Sequence, residues 1–298
     1  MRALVVGGAG FIGSHLVERL LADGAEVDVV DDLTTGSLAN LADARSAGGV
    51  LKIHTLDAAT DGVSTLVRHR APDVVYHLAW WPPGIAGPAS IGPALESTSR
   101  ILEAARHVGT TKLVTAVQAH ALYGEVPARS QPVKESQVWA PRGVRGVAAR
   151  SIVELLGVYR DDHAVEFTVL AMGNVYGSRQ RSDGGVVAAF VAAQRDGTAP
   201  TVDGDGRQQR DFLFIDDAVD ALARAAARAG GLVVNVGTGV GTAIRDLWAL
   251  VGGPTAAAPV AAPARAGSVG RVAIAPTRAR IHLAWSPWTA VADGLRSL

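Results

Sequence analysis

The chain has 298 residues, 48% hydrophobic and 19% charged, with no formal net charge and no cysteine. That balance predicts a sizeable buried core, in one large domain or two closely joined ones. It excludes disulfides, thiolate catalysis and cysteine-ligated metals, and it gives no electrostatic footprint for nucleic acid or an anionic membrane surface.

Ala3-Leu4-Val5-Val6 reads as a buried strand at the very start of the chain. No leader precedes it and no apolar run is long enough to span a bilayer, so a cytoplasmic protein is expected. Gly7-Gly8-Ala9-Gly10-Phe11-Ile12-Gly13 follows, then a helix over 14–22 and an apolar strand over 27–30 that runs into Asp31-Asp32. Strand, glycine turn, helix, strand and acid form a dinucleotide-binding pattern. Gly7 and Gly10 permit a tight turn and close approach of backbone to a pyrophosphate. Gly13 lets helix and strand pack, and the helix N-terminus, with Phe11 and Ile12 in the turn before it, supplies N–H donors. Asp31, with Asp32 beside it, falls where an acid can accept from both ribose hydroxyls and repel a 2′-phosphate. The cofactor expected is therefore NAD.

The alternation of strand and helix continues, with strands over 51–56, 74–78 and 112–117 and a helix through 101–107. This order predicts an α/β fold, a Rossmann-like doubly wound parallel sheet. Ligands bind at the C-terminal ends of such strands, which places Asp57, Ala79, Trp80 and Ala119 near one crevice. From about residue 174 the pattern is less regular. Helices are expected over 186–194 and 216–229, and an extended Ala/Pro-rich connection over 256–266. The histidines show no metal-ligand spacing with acids, so no metal is expected.

These residues resemble the extended short-chain dehydrogenase/reductase family, in its NAD-dependent nucleotide-sugar epimerase/dehydratase branch. The resemblance rests on the three glycines and on Asp31-Asp32-Leu33-Thr34-Thr35-Gly36. It continues through Asp73-Val74-Val75-Tyr76-His77-Leu78-Ala79, Ala121-Leu122-Tyr123-Gly124, Gly173-Asn174-Val175-Tyr176-Gly177, the run from Gly204 to Phe212, and Asn235-Val236-Gly237-Thr238-Gly239. It implies a Rossmann domain over residues 1–171, to which 211–236 return, and a smaller α/β substrate lobe from 172–210 and 237–298. It also implies that Asp57 and Ala58 line an adenine pocket and that Leu78, Ala79 and Trp80 flank the nicotinamide. Asn174, Arg210 and Arg265 would hold a nucleoside-diphosphate sugar, and the protein would be a homodimer.

Such enzymes use a Ser or Thr, and a Tyr followed four residues later by Lys. Counting from Tyr123 and from the helix acid Glu154 puts Ala119, Gly146 and Arg150 at these positions. No tyrosine of the chain has a lysine four residues after it. Arg150 can still hold ribose hydroxyls, but it cannot serve as a base near neutral pH. Substitute acid/base candidates are His120, which strand alternation would point away from the crevice, and Tyr123 in the same loop. Trp80 and Trp81, before Pro82-Pro83-Gly84, either stack on a sugar or nicotinamide ring or cap the core. Three readings stay open. The first is a nucleotide-sugar enzyme of specialised metabolism with a non-standard acid/base site. The second is a catalytically silent homologue that binds NAD or a nucleotide sugar as partner or sensor. The third is a fold recruited for another small molecule.

Overall fold

The structure is a computed structural model that describes residues 1–81, 87–253, 257–264 and 269–298. The first half alternates strand and helix as β1 (Arg2–Val6), α1 (Phe11–Ala22), β2 (Glu26–Asp31), α2 (Ala42–Ser46), β3 (Leu51–Thr55), α3 (Asp61–Arg70), β4 (Val74–His77), α4 (Ile91–Val108) and β5 (Lys112–Gln118). A short helix α5 (Ala119–Tyr123) leads to α6 (Gly143–His163) and β6 (Glu166–Met172). The rest comprises β7 (Asn174–Tyr176), α7 (Val186–Arg195), β8 (Thr201–Asp203), β9 (Gln209–Arg210), β10 (Phe212–Phe214), α8 (Ile215–Ala225), β11 (Leu232–Val236), β12 (Thr242–Ala243), α9 (Ile244–Gly252), β13 (Val260–Ala262), α10 (Thr277–His282) and α11 (Val291–Arg296).

Seven strands form one parallel sheet in the order β11-β6-β5-β4-β1-β2-β3. Its central strands β1, β4 and β6 are buried on both faces, which explains their largely apolar runs, whereas the edge strand β3 is only partly buried. Period-two alternation still sorts the side chains. Leu4 and Val6 join the core beneath α3, α4 and α6, while Ala3 and Val5 join the one beneath α1 and α8. Strand order reverses between β1 and β4, so their C-terminal ends diverge and leave the crevice that this topology reserves for ligands.

The helix after the glycine turn begins at Phe11, three residues earlier than the sequence pattern indicates. Gly10 takes the N-cap position, and an apolar Phe11-Ile12 pair at the first turn carries no residue-type signal for a helix start. The second half adds a smaller core of Tyr176, Phe190, Phe212, Leu247 and Trp248, where α7 packs on α9. Small strand pairs stitch it together: β7 with β10, β9 with β12, and β8 with β13. The 256–266 stretch contributes β13 and no helix among its described residues. Among the described residues, no helix is long and apolar enough to cross a membrane.

Candidate functional site

A crevice of about 620 Å³ opens along the C-terminal edge of the sheet. Its floor at one end is the glycine turn. Gly7 adopts φ +85°, a left-handed conformation that L side chains disfavour, and a Cβ there would press on Ala79 at 3.0 Å. A Cβ on Gly13 would lie 2.0 Å from the Gly7 carbonyl oxygen, so helix α1 can approach β1 only with glycine at that position. Gly10 is different. Its added Cβ would meet a single atom, the Gly7 carbonyl oxygen at 3.2 Å, and otherwise open crevice. Helix α1 has no side-chain cap, so its first-turn N–H groups and positive end serve the crevice.

Asp31 closes this end. It is 8% exposed, and its carboxylate accepts from Ala9 N and Leu33 N, each at 2.9 Å. Burial pushes its pKa up, against the pull of those hydrogen bonds. Asp32, Asp57, Ala58, Leu78, Ala79 and Trp80 line the same crevice, as do Phe11 and Ile12. The residues present therefore fit a dinucleotide. A helix N-terminus and glycine turn suit a pyrophosphate, and an acid at the end of β2 suits a ribose diol.

Across the crevice stands Asn174 at the start of β7, while Arg210, half-buried in β9, is not among the lining residues. Asn174 is set by Asp211, a carboxylate 2% exposed. Asp211 accepts from Thr238 N (2.8 Å), Thr238 Oγ1 (2.7 Å), Gly239 N and Ile274 N (both 3.0 Å), while its carbonyl accepts from Asn174 N at 2.6 Å. Four donors compensate the buried charge and pin three loops to one point. Arg210 Nη1 donates to Gln209 O at 2.8 Å, and burial lowers its pKa. Arg265 lies outside the described residues, as do Pro82, Pro83 and Gly84.

The reactive end departs from the sequence reading at three places. Tyr123 is fully enclosed, with its hydroxyl donating to Asn235 Oδ1 at 2.7 Å. Burial pushes its pKa up, so it does not face the crevice as an acid/base candidate would. Arg150 lies on the exposed side of α6 and pairs with Glu154 at 2.8 Å. It is not among the lining residues, so it does not hold a cofactor ribose in this arrangement. His120 is not among the residues that line the crevice, and strand alternation does not apply to it, because β5 has already ended and residue 120 sits in the helical turn α5. There it shares a hydrogen bond with Asn174 and lies within the field of Arg145 and Arg210. Burial and these two cations pull its pKa down to about 4.

Ala119 and Gly146 bring no functional group. A Cβ on Gly146 would lie 2.3 Å from the Ala121 carbonyl oxygen, so this position faces the α5 loop. The neighbouring Arg145 faces the crevice instead, together with Gln118 from the end of β5. Trp80, 4% exposed, donates Nε1–H to Ala116 O at 2.8 Å and meets Trp81 edge to face at 5.8 Å. The Arg145 guanidinium carbon lies 5.9 and 5.4 Å from the two ring centroids. The tryptophans thus pack on the core and line the crevice at once. Sequence reasoning missed Arg145. Its signal was faint: one residue's offset from the position counted, visible only once the helix is fixed.

A family model described as the NAD dependent epimerase/dehydratase family matches residues 3–237. The UDP-glucose 4-epimerase of Mycolicibacterium smegmatis is 38% identical over 315 aligned residues, which cover 99% of this chain and 96% of that protein. Among solved structures, a UDP-glucose 4-epimerase of Thermotoga maritima with UDP-glucose superposes with a TM-score of 0.88 at 29% identity, over 100% of this chain and 97% of that one. The Thermus thermophilus UDP-glucose 4-epimerase in complex with NAD gives 0.86 at 32% identity, over 99% and 97%.

Proposed function

Because the chain belongs to the NAD-dependent epimerase/dehydratase family, we propose that it is an enzyme that binds NAD and a nucleoside-diphosphate sugar in this one crevice. Its acid/base apparatus differs from the family's Ser/Tyr/Lys set. The observation that carries the reading is the meeting, in one crevice, of the glycine turn and Asp31 with Asn174 from the second half of the chain. NAD, when bound, supplies a hydride acceptor and donor for a sugar carbon. Gly7, Gly10 and the α1 N-terminus receive the pyrophosphate, Asp31 the adenosine ribose, and Trp80 flanks the nicotinamide. Asn174 and Arg210 orient the sugar nucleotide, with Arg265 as a further diphosphate ligand. His120, beside Asn174, is the candidate acid/base group at the substrate side. Residues 1–171 with 211–236 form the cofactor domain, and 172–210 with 237–298 the substrate lobe. The protein acts as a cytoplasmic homodimer in specialised metabolism.

A second reading has its own support. Ala119, Gly146 and the enclosed Tyr123 remove the family's proton-transfer groups together. This favours a silent homologue that binds NAD or a nucleotide sugar as partner or sensor. The Trp80–Trp81–Arg145 wall favours, more weakly, a fold recruited for another small molecule. Purified protein with NAD or NADH and a panel of UDP-, TDP- and GDP-sugars in deuterated water, followed by mass spectrometry, separates them. Deuterium uptake, loss of water or a new retention time establishes an enzyme and its reaction class. An unchanged panel with NAD binding intact moves the assignment to the silent homologue.

A further inference from the structure

Arg145 is the one cation among the described residues that line the crevice, and no carboxylate of the fold balances it. It stands in the first turn of α6, a 21-residue helix with Arg142 at its N-cap and no acid in that turn. A cation there works against the helix dipole. Burial in the crevice lowers its pKa. Among the described residues no carboxylate pairs with it, and its recorded contacts are the faces of Trp80 and Trp81. The crevice acid Glu96 is already taken, since its Oε1 accepts from Arg100 Nη2 at 2.7 Å and Arg100 Nε at 3.2 Å. Asp31, Asp32 and Asp57 stand at the ends of β2 and β3, the adenosine side. His120 offers no counter-charge either, because it is neutral near pH 7 and lies in the field of Arg145 itself.

A partly desolvated guanidinium with no anion beside it is costly, and its planar fork matches a carboxylate with two parallel hydrogen bonds. The tryptophans fix the orientation of that fork. Trp80 is locked by its bond to Ala116 O, and Trp81 is packed edge to face against it. The guanidinium lies over both rings, and among the described residues no hydrogen bond uses its N–H groups, which are left for a ligand. Its place matters as much as its charge. Arg145 lines the crevice with Gln118 at the end of β5 and the tryptophans after β4, and β4 stands between β5 and the β1–α1 turn that suits a pyrophosphate. Resting on the reading of the crevice as a nucleotide-sugar site, we propose that Arg145 recognises a carboxylate on the sugar ring, so that the preferred substrates are nucleoside-diphosphate hexuronates over neutral hexoses.

The test is calorimetric titration of the NAD-loaded protein with free nucleoside diphosphate, hexose and hexuronate, each as uridine and thymidine derivatives. The wild-type chain should bind hexuronate about 10-fold or more tightly than hexose. Arg145→Gln should bring that ratio to near one, and Arg145→Lys, which keeps the charge but loses the fork, should leave a ratio of a few-fold. If the glutamine variant does not fold, the lysine variant decides, since an undiminished ratio rules out recognition by the fork. Equal wild-type affinities for the two sugars overturn the inference. So does an equal loss for free diphosphate and both sugars on substitution, which would put Arg145 on the diphosphate. In both cases the nucleotide-sugar reading survives. Binding of no sugar nucleotide by the wild-type chain overturns the reading and the inference together.

Discussion

The glycine turn at one end of the crevice and the Trp80–Arg145 wall at the other rise from neighbouring strands of the same sheet, yet they are constrained differently. At the turn, each requirement falls on the backbone. Gly13 cannot carry a side chain within 2.0 Å of a carbonyl oxygen, and Gly7 must hold a positive φ. At the wall, what matters is carried by side chains that β4, β5 and α6 present, Trp80, Gln118 and Arg145 among them. Backbone geometry is coupled to the fold and resists change, whereas a reactive side chain on a finished frame can be replaced at little cost in stability.

That contrast can be broken at its strong end first. Gly13→Ala should destabilise the protein by about 4 kcal/mol or more, because the obstructing atom is backbone and cannot rotate away. Urea unfolding checks it, and near-wild-type stability would mean that the turn adapts.

Acidification should have an effect of similar size. His77 and His120 are held neutral, with pKa values lowered from 6.5 to about 3 and about 4. The unfolded chain therefore binds more protons than the folded one in this range. Stability is fully present above pH 6.5 and is lost as pH falls towards these folded values. From pH 7 to pH 5 the two together should remove about 4 kcal/mol, and His120→Asn should halve that slope. Urea midpoints at the two pH values measure it, and an unaltered slope would show His120 to be solvated.

At the adenosine end, Asp31→Asn should weaken NAD about 30-fold and narrow the preference for NAD over NADP. Fluorescence titration with both cofactors would test this, and unchanged affinity would remove Asp31 from the site. Tyr123→Phe should cost about 1 kcal/mol through the lost bond to Asn235, with no change in NAD binding. Any loss of turnover beyond that stability effect would return Tyr123 to the chemistry. Arg150→Ala should be the mildest, within about 0.5 kcal/mol, because it removes one exposed i,i+4 ion pair. A fall in NAD affinity in that variant would show Arg150 leaving Glu154 for the cofactor.

The fold and the cofactor end could be read from residues because their signals are local. Glycine spacing, apolar runs and Asp31 lie within about thirty residues of one another, and each has one physical meaning there. The reactive end could not. Counting back from Glu154 in steps of four lands on Arg150 and then on Gly146, but a helix turns each successive residue by about 100°, so one position's offset decides which side chain enters the crevice. Gly146 faces the Ala121 carbonyl and Arg145 faces the crevice. The alternation argument for His120 failed for a related reason. Strand alternation was extended past Gln118, where the chain had already turned helical.

The sequence by itself determined the parallel sheet, the dinucleotide pattern and the absence of any tyrosine with a lysine four residues on, since these depend on periodicity, glycine and residue identity along a short stretch of chain. Only the tertiary structure decided which side chains stand around the far end of the crevice. Arg145 over Trp80 and Trp81, and His120 beside Asn174 and Arg210, are contacts between residues far apart in the chain. Their charge, burial and direction exist only after α6 and β7 have packed against the ends of the sheet.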